Sequence, residues 1–177
     1  MGQVGFRPFL HRNMTILFIP LNPAEISWEK GHYFSSVPST WKSSLWYQLY
    51  HAKFTPELHS ELEADVKVFG NPENHLGIID LVVDKVSSHP SVLTKEDIER
   101  GCSTLKREIR QYNPKIVCFL GKGTYRRFKG IRNSNPVEYG LQREFVDQSK
   151  IFVAAFPSSM DIKVEEKIEI LKKLHNI

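Results

Sequence analysis

The chain has no apolar run near the roughly 20 residues that a membrane-spanning helix needs. It has only two cysteines, Cys102 and Cys118. That is too few for a disulfide scaffold, and without an oxidising context it points to a reducing compartment. Cys118 sits inside Ile116-Val117-Cys118-Phe119-Leu120 and reads as a packing residue. His51, His59, His75 and His89 are scattered, with no Cys/His spacing suited to zinc, so no metal is expected. No Gly-rich dinucleotide fingerprint follows the first apolar run, which speaks against a nucleotide-cofactor enzyme. Gly121-Lys122 invites a phosphate-loop reading that fails on both sides. The required upstream glycine is Ile116, and Gly123 stands where Ser or Thr must follow the lysine. There is no repeat, no low-complexity stretch and no strong charge excess. Lys and Arg number 24 against 20 Asp and Glu, a net +4 that permits a polyanionic partner without requiring one. Met1–Asn13 lacks the apolar core of a leader sequence and reads as an N-terminal extension.

What is present is an ordinary globular composition, 41% hydrophobic and 25% charged, over a length that suits one domain spanning residues 1–177. Met14–Leu21 reads as a buried strand ended by Asn22-Pro23. Asn22–Lys42 is a long polar loop whose aromatics (Trp28, Tyr33, Phe34, Trp41) argue for order and function. Helices are expected at Ser43–Ala52, at Pro56–Val66, after the Thr94 cap as far as Asn113-Pro114, after Gly121, and at Val164–Leu174. Leu76–Val83, Lys115–Leu120 and Ile151–Ala155 supply further strands. Strands this apolar must be covered on both faces. The expected fold is therefore α/β: a three-layer αβα sandwich around a central, mostly parallel, four- to five-stranded sheet. Such sheets bind ligands beyond the carboxyl ends of their strands. Three of those ends carry unusual sequence, at Pro20–Pro23, Asp80 and Phe156–Met160, and they should meet in one crevice.

Six blocks then recur in order. Ile19-Pro20-Leu21-Asn22-Pro23-Ala24 is followed by Lys30-Gly31-His32-Tyr33-Phe34. Trp46 opens a helix leading to Ala52-Lys53-Phe54. Gly77-Ile78-Ile79-Asp80, Leu120-Gly121-Lys122, Tyr139-Gly140-Leu141-Gln142 and Phe156-Pro157-Ser158-Ser159 complete the series. This order resembles the uracil-DNA glycosylase superfamily, and within it the mismatch-specific uracil/thymine branch. That branch has a strand ending Gly-Ile-Asn-Pro-Gly, an aromatic at the spacing of Asn22 and Phe34, and a later Pro-Ser-Ser or Asn-Pro-Ser-Gly loop.

The resemblance implies a DNA glycosylase acting by hydrolysis on uracil, or on mismatched thymine or another deaminated base, as the first step of base excision repair. It implies a DNA partner, no metal or organic cofactor, a monomer with no membrane attachment, and a cytoplasmic (nucleoid) or nuclear location. Asn22 and Asp80 take the catalytic positions. An amide there holds water or polarises the base, and a carboxylate activates water or stabilises positive charge on the sugar. Leu21, Ala24, Tyr33 and Phe34 fall at base-binding positions, with Phe34 as the stacking face. Pro157, Ser158, Ser159 and Met160 fall in the loop that grips phosphate and fills the vacated stack. Lys122, Arg126 and Arg127 are candidate backbone contacts.

Each has a plainer reading: Asn-Pro as a turn, Asp80 as an ion-pair partner of Lys85 or Lys122, Phe34 as core, the serines as caps and the basic residues as a solvated helix face. Departures from the branch pattern are Pro20 and Ala24 in place of glycines, Tyr33 where some relatives have His, Ser159 where one motif form ends in Gly, and extra residues between Phe34 and Trp46. They bear on which base is accepted more than on reaction class. A catalytically silent binding module on the same fold is the alternative expectation.

Overall fold

The computed structural model describes residues 7–60 and 62–177. Its sheet contains β1 (Ile16–Ile19), β2 (Leu76–Ile78), β3 (Ile116–Leu120), β4 (Gly140–Val146) and β5 (Ser149–Ala154), in the order β2-β1-β3-β5-β4. All neighbours are parallel except β4, which runs antiparallel to β5 along one edge. The alternation of side chains on the strands divides the core in two. Ile16, Phe18, Cys118, Leu120, Phe152 and Ala154 face one layer, and Leu17, Ile19, Val117, Phe119, Ile151 and Val153 the other.

The first layer holds α2 (Leu45–His51), α3 (Ala64–Phe69) and α6 (Val164–Lys172). The second holds α4 (Lys95–Tyr112) and α5 (Lys122–Lys129). The result is a three-layer αβα sandwich. Thr94 and Asp97 close a reciprocal capping box at the start of α4, and Asn113 in the left-handed region ends that helix before Pro114. Gly101 lets α4 approach closely, because a Cβ there would meet the Leu81 carbonyl.

Four expectations need correction or refinement. The helix expected at Pro56–Val66 lies at Ala64–Phe69 instead. Pro56 and the Thr55 hydroxyl bond to the Glu57 carbonyl hold a turn there, and Ala64, Val68 and Phe69 are the residues that find the core. The strand expected at Leu76–Val83 ends at Ile78, although the Leu81 and Val82 amides still bond to the Pro20 and Leu21 carbonyls. β4 was not expected as a strand; its middle is solvent-facing, as an edge permits. The long loop contains a short helix, α1 (Glu25–Lys30), closed by Gly31 in the left-handed region. Of the N-terminal extension, residues 1–6 lie outside the described residues. Phe9 forms an antiparallel bridge to Ile78 and packs on the core.

Candidate active site

The ends of β1 and β2 stay zipped beyond the strands proper. Leu81 N–H donates to the Pro20 carbonyl (2.8 Å) and Val82 N–H to the Leu21 carbonyl (2.8 Å). Pro20, having no N–H, takes part only as an acceptor. This register sets Asn22 and Asp80 on neighbouring strand ends, and both line a cavity of about 80 Å³. Phe34 and Ser158 line the same cavity, as do Ala24, Tyr33 and Pro157. The stretches that looked unusual in sequence therefore meet at one rim of the sheet.

Asn22 is held by its amide nitrogen. Nδ2 donates to the carbonyls of Ser87 (2.8 Å), Lys85 (3.2 Å) and Pro23 (3.2 Å). Three carbonyl oxygens around one terminus fix which end is nitrogen. The amide oxygen meets no hydrogen-bond donor among the described residues, so it is the group Asn22 can offer to a ligand or a water.

Asp80 is 3% exposed. The ion-pair reading for it is not realised: Lys85 approaches Asp97 (4.0 Å), and the Lys122 ammonium lies over the Tyr139 ring (4.2 Å to its centre). Its partner is Tyr33, whose hydroxyl bonds to the Asp80 carboxyl and also accepts from the Asp80 backbone N–H. Burial pushes the Asp80 pKa up to about 8, against the opposing effect of the Tyr33 hydrogen bond. Burial, and secondarily the Asp80 charge, holds the Tyr33 phenol well above its ordinary value. At neutral pH the pair is therefore mostly uncharged, with an ionised fraction that grows towards pH 8. A carboxyl poised near the working pH is the usual condition for proton transfer.

Phe34 adopts φ 52°, in the left-handed region that a bulky residue seldom occupies. Its ring lies edge-on to Trp46 (centroids 6.3 Å) and tilted against Phe156 (6.0 Å). The backbone on either side of it is held by two buried side chains, one from α3 and one from α1. Asp65, itself 1% exposed and at the start of α3, accepts from the Tyr33 backbone N–H (2.8 Å), from His32 Nδ1 (2.9 Å) and from the Val66 N–H (2.8 Å). Ser27 accepts from the Ser35 N–H (3.3 Å). Sequence reasoning passed over both residues. The only signal for Asp65 was an acidic residue just ahead of the apolar Val68-Phe69 pair.

Asp65→Ala is expected to cost about 2–3 kcal/mol in urea unfolding, since it leaves buried N–H groups unpaired. It should also weaken binding of any base that stacks on Phe34. Full retention of both would show that Asp65 does not position the loop.

The loop Phe156–Met160 is held from beneath by two buried polar side chains that the sequence did not single out. Lys167 of α6 donates to the carbonyls of Pro157 (2.8 Å) and Ser159. Gln48 of α2 donates to the Pro157 carbonyl (2.9 Å). Burial lowers the Lys167 pKa. These bonds leave Met160 97% exposed at the apex, while Ser159 caps Asp161 through its hydroxyl and does not line the cavity.

The remaining predicted residues lie further out. Leu21 packs on the second core and lines a neighbouring groove of about 440 Å³, together with Arg127 and Gly121. Gly121, at φ 96°, makes the tight turn that lets α5 start beside Phe156. Arg126 is spent locally: one guanidinium nitrogen holds the Asn135 carbonyl (2.9 Å), and its Nε is buried without a partner. Neither Lys122 nor Arg126 lines the cavity that Asn22 and Asp80 share. Among the described residues, no group of three His, Cys, Asp or Glu is placed to hold a metal. No described helix is long and apolar enough to cross a membrane.

Comparison with known proteins bears on this arrangement. The family model described as the Uracil DNA glycosylase superfamily matches residues 8–174. The chain is similar to the G/U mismatch-specific uracil DNA glycosylase of Schizosaccharomyces pombe, with 28% identity over 157 residues covering 84% of this chain. That match takes in 45% of the yeast protein, so the chain spans under half the length of that relative.

Proposed function

Because the chain belongs to the uracil DNA glycosylase superfamily, we propose that its cavity receives one extrahelical base of DNA and hydrolyses the bond joining it to deoxyribose. The observation that carries this reading is the meeting of Asn22, Asp80 and Phe34 around a single cavity at the carboxyl rim of the sheet. The name of the yeast relative supports uracil opposite guanine as the first substrate to test.

Flipping the nucleotide out costs a few kcal/mol. Stacking on the Phe34 face returns ~1–3 kcal/mol. With its NH2 group committed to three carbonyls, Asn22 presents Oδ1 to a water below C1′. The water oxygen bonds to C1′ as the C1′–N bond breaks. The bonding electrons leave with the base, and the ionised fraction of Asp80 takes the water's proton. Fixed dipoles in a water-poor cavity are worth more than the same groups in bulk solvent. The Ala24 methyl stands in the cavity wall and narrows the room for a C5 methyl, which favours uracil over thymine. Met160 enters the vacated stack, and Ser158 meets a phosphate. The implied partner is DNA, in the cytoplasm or the nucleus.

The test is a set of end-labelled strands carrying uracil opposite G, uracil opposite A, thymine opposite G, hypoxanthine, and uracil in a single strand. Each is incubated with excess protein and then treated with alkali. The expected result is a break at uracil opposite G, formed faster than at thymine opposite G. Intact strands throughout, with folded and DNA-bound protein, would favour the silent binding module.

A further inference from the structure

The reaction above makes no use of the outer part of the loop between α1 and α2, where the extra residues between Phe34 and Trp46 fall. Ser36 and Val37 on one side of this segment, and Ser43 and Ser44 on the other, line the base cavity. Trp41 stands between them with 60% of its surface exposed. Its backbone is fixed, not frayed. Trp41 N–H donates to the Pro38 carbonyl (3.0 Å), and the Trp41 carbonyl accepts from Ser44 N–H (2.9 Å). The next carbonyl, of Lys42, accepts from Gln48 Nε2 (2.9 Å), the same nitrogen that donates to the Pro157 carbonyl (2.9 Å). One buried amide therefore ties the Trp41 turn to the loop that carries Met160. Two exposed apolar side chains thus stand on tethered supports close in sequence to lining residues, Trp41 two positions before Ser43 and Met160 two positions after Ser158.

The two differ in shape. Met160 is narrow and unbranched and suits insertion between stacked base pairs. Trp41 offers a broad, rigid face. In an intact duplex the bases beside the flipped nucleotide already have stacking partners, and a flat ring outside the helix gains little from them. In an unpaired strand the neighbouring base has a free face, and stacking on an aromatic ring tolerates any base identity. We propose that Trp41 is a stacking platform for the nucleobase next to the extrahelical one, and that it fits the site to uracil in unpaired DNA. This rests on the base-release reading above.

The experiment compares wild type, Trp41→Ala and Trp41→Phe. Binding is followed by fluorescence anisotropy on labelled strands carrying 2′-fluoro-deoxyuridine, which resists cleavage, either single-stranded or opposite G in a duplex. Trp41→Ala is expected to weaken single-strand binding about 10-fold or more and duplex binding less than about 3-fold, with Trp41→Phe restoring most of the loss. Equal losses on both substrates, or no loss on the single strand, would overturn the proposal. Absence of base release from natural uracil by wild type would overturn the function proposed above, while the binding comparison would still decide the role of Trp41.

Discussion

Replacing Asp80 by Asn is expected to have two opposite effects, a slower reaction and a more stable protein. On the kinetic side, a carboxyl whose pKa is raised to about 8 is mostly neutral at pH 7. If the ionised form accepts the proton of the attacking water, the wild-type single-turnover rate rises about tenfold per pH unit below that value and levels off above it. Asp80→Asn should remove this rise and slow base release by about 10²–10⁴ at the plateau.

On the stability side, the folded-state pKa lies above the ordinary carboxylate value. Below about pH 4 both folded and unfolded states carry the proton, and nothing is lost. Between about pH 4 and pH 8 the unfolded chain ionises and the folded one resists, so stability falls as pH rises. Above about pH 8 the loss is complete, on the order of 5 kcal/mol. Asn cannot ionise, and it keeps an acceptor for the Tyr33 hydroxyl. Asp80→Asn should therefore melt about 10 °C higher than wild type near pH 8 and close to wild type at pH 4. A Tm difference independent of pH would mean that Asp80 titrates alike in the folded and unfolded chain, and the expected rise in rate towards pH 8 would be lost with it. Higher stability gained with lower activity is the pattern expected where a buried polar group is kept for function.

Asn22→Ala is expected to slow base release about 10²–10³-fold at saturating protein, the usual loss when one fixed polar group is removed from a charge-developing site. Binding to an uncleavable duplex should change less than about 3-fold, because in the proposed site the Asn22 oxygen serves the attacking water and not the DNA backbone. A structural cost accompanies it. The Asn22 Nδ2 group holds the Lys85 and Ser87 carbonyls, so the segment after Asp80 loses its anchor, worth about 1–2 kcal/mol in unfolding. Asn22→Asp separates the two functions. It keeps an oxygen towards the cavity and replaces the donor by a second oxygen facing three carbonyls. It should lose as much stability as Asn22→Ala or more. If Asn22→Ala were stable but unaffected in rate, the amide would be a loop anchor alone.

The rim of the sheet was legible in the sequence because each contributing stretch interrupts an apolar strand. Asn22 ends Met14–Leu21, Asp80 follows Ile78-Ile79, and Phe156-Pro157 follows the run through Ala155. Topology then requires such ends to converge. The Thr94–Asp97 cap was legible for a similar reason, as a local pattern with a local cause. What was not legible acts between elements through backbone groups, the Pro157 carbonyl and the Tyr33 N–H. Gln48 and Lys167 reach Pro157, and Asp65 reaches Tyr33, without any spacing that marks them. β4 was missed because Leu141, Arg143, Glu144 and Phe145 face solvent at an edge, so neither an apolar run nor strict alternation develops. For Arg126 the charge was visible and its direction was not. One guanidinium nitrogen donates to the Asn135 carbonyl, a local bond that a helical face drawn from the sequence does not reveal.

The most direct measurement is uracil release from a labelled G·U duplex under single-turnover conditions, with wild type and Asn22→Ala side by side. Strand breakage at the uracil after alkali, formed by wild type and all but absent with the variant, is the predicted result. An unbroken strand in the presence of folded, bound wild-type protein, or an equal break with Asn22→Ala, would contradict the assignment of this cavity as the place where the glycosidic bond is cut.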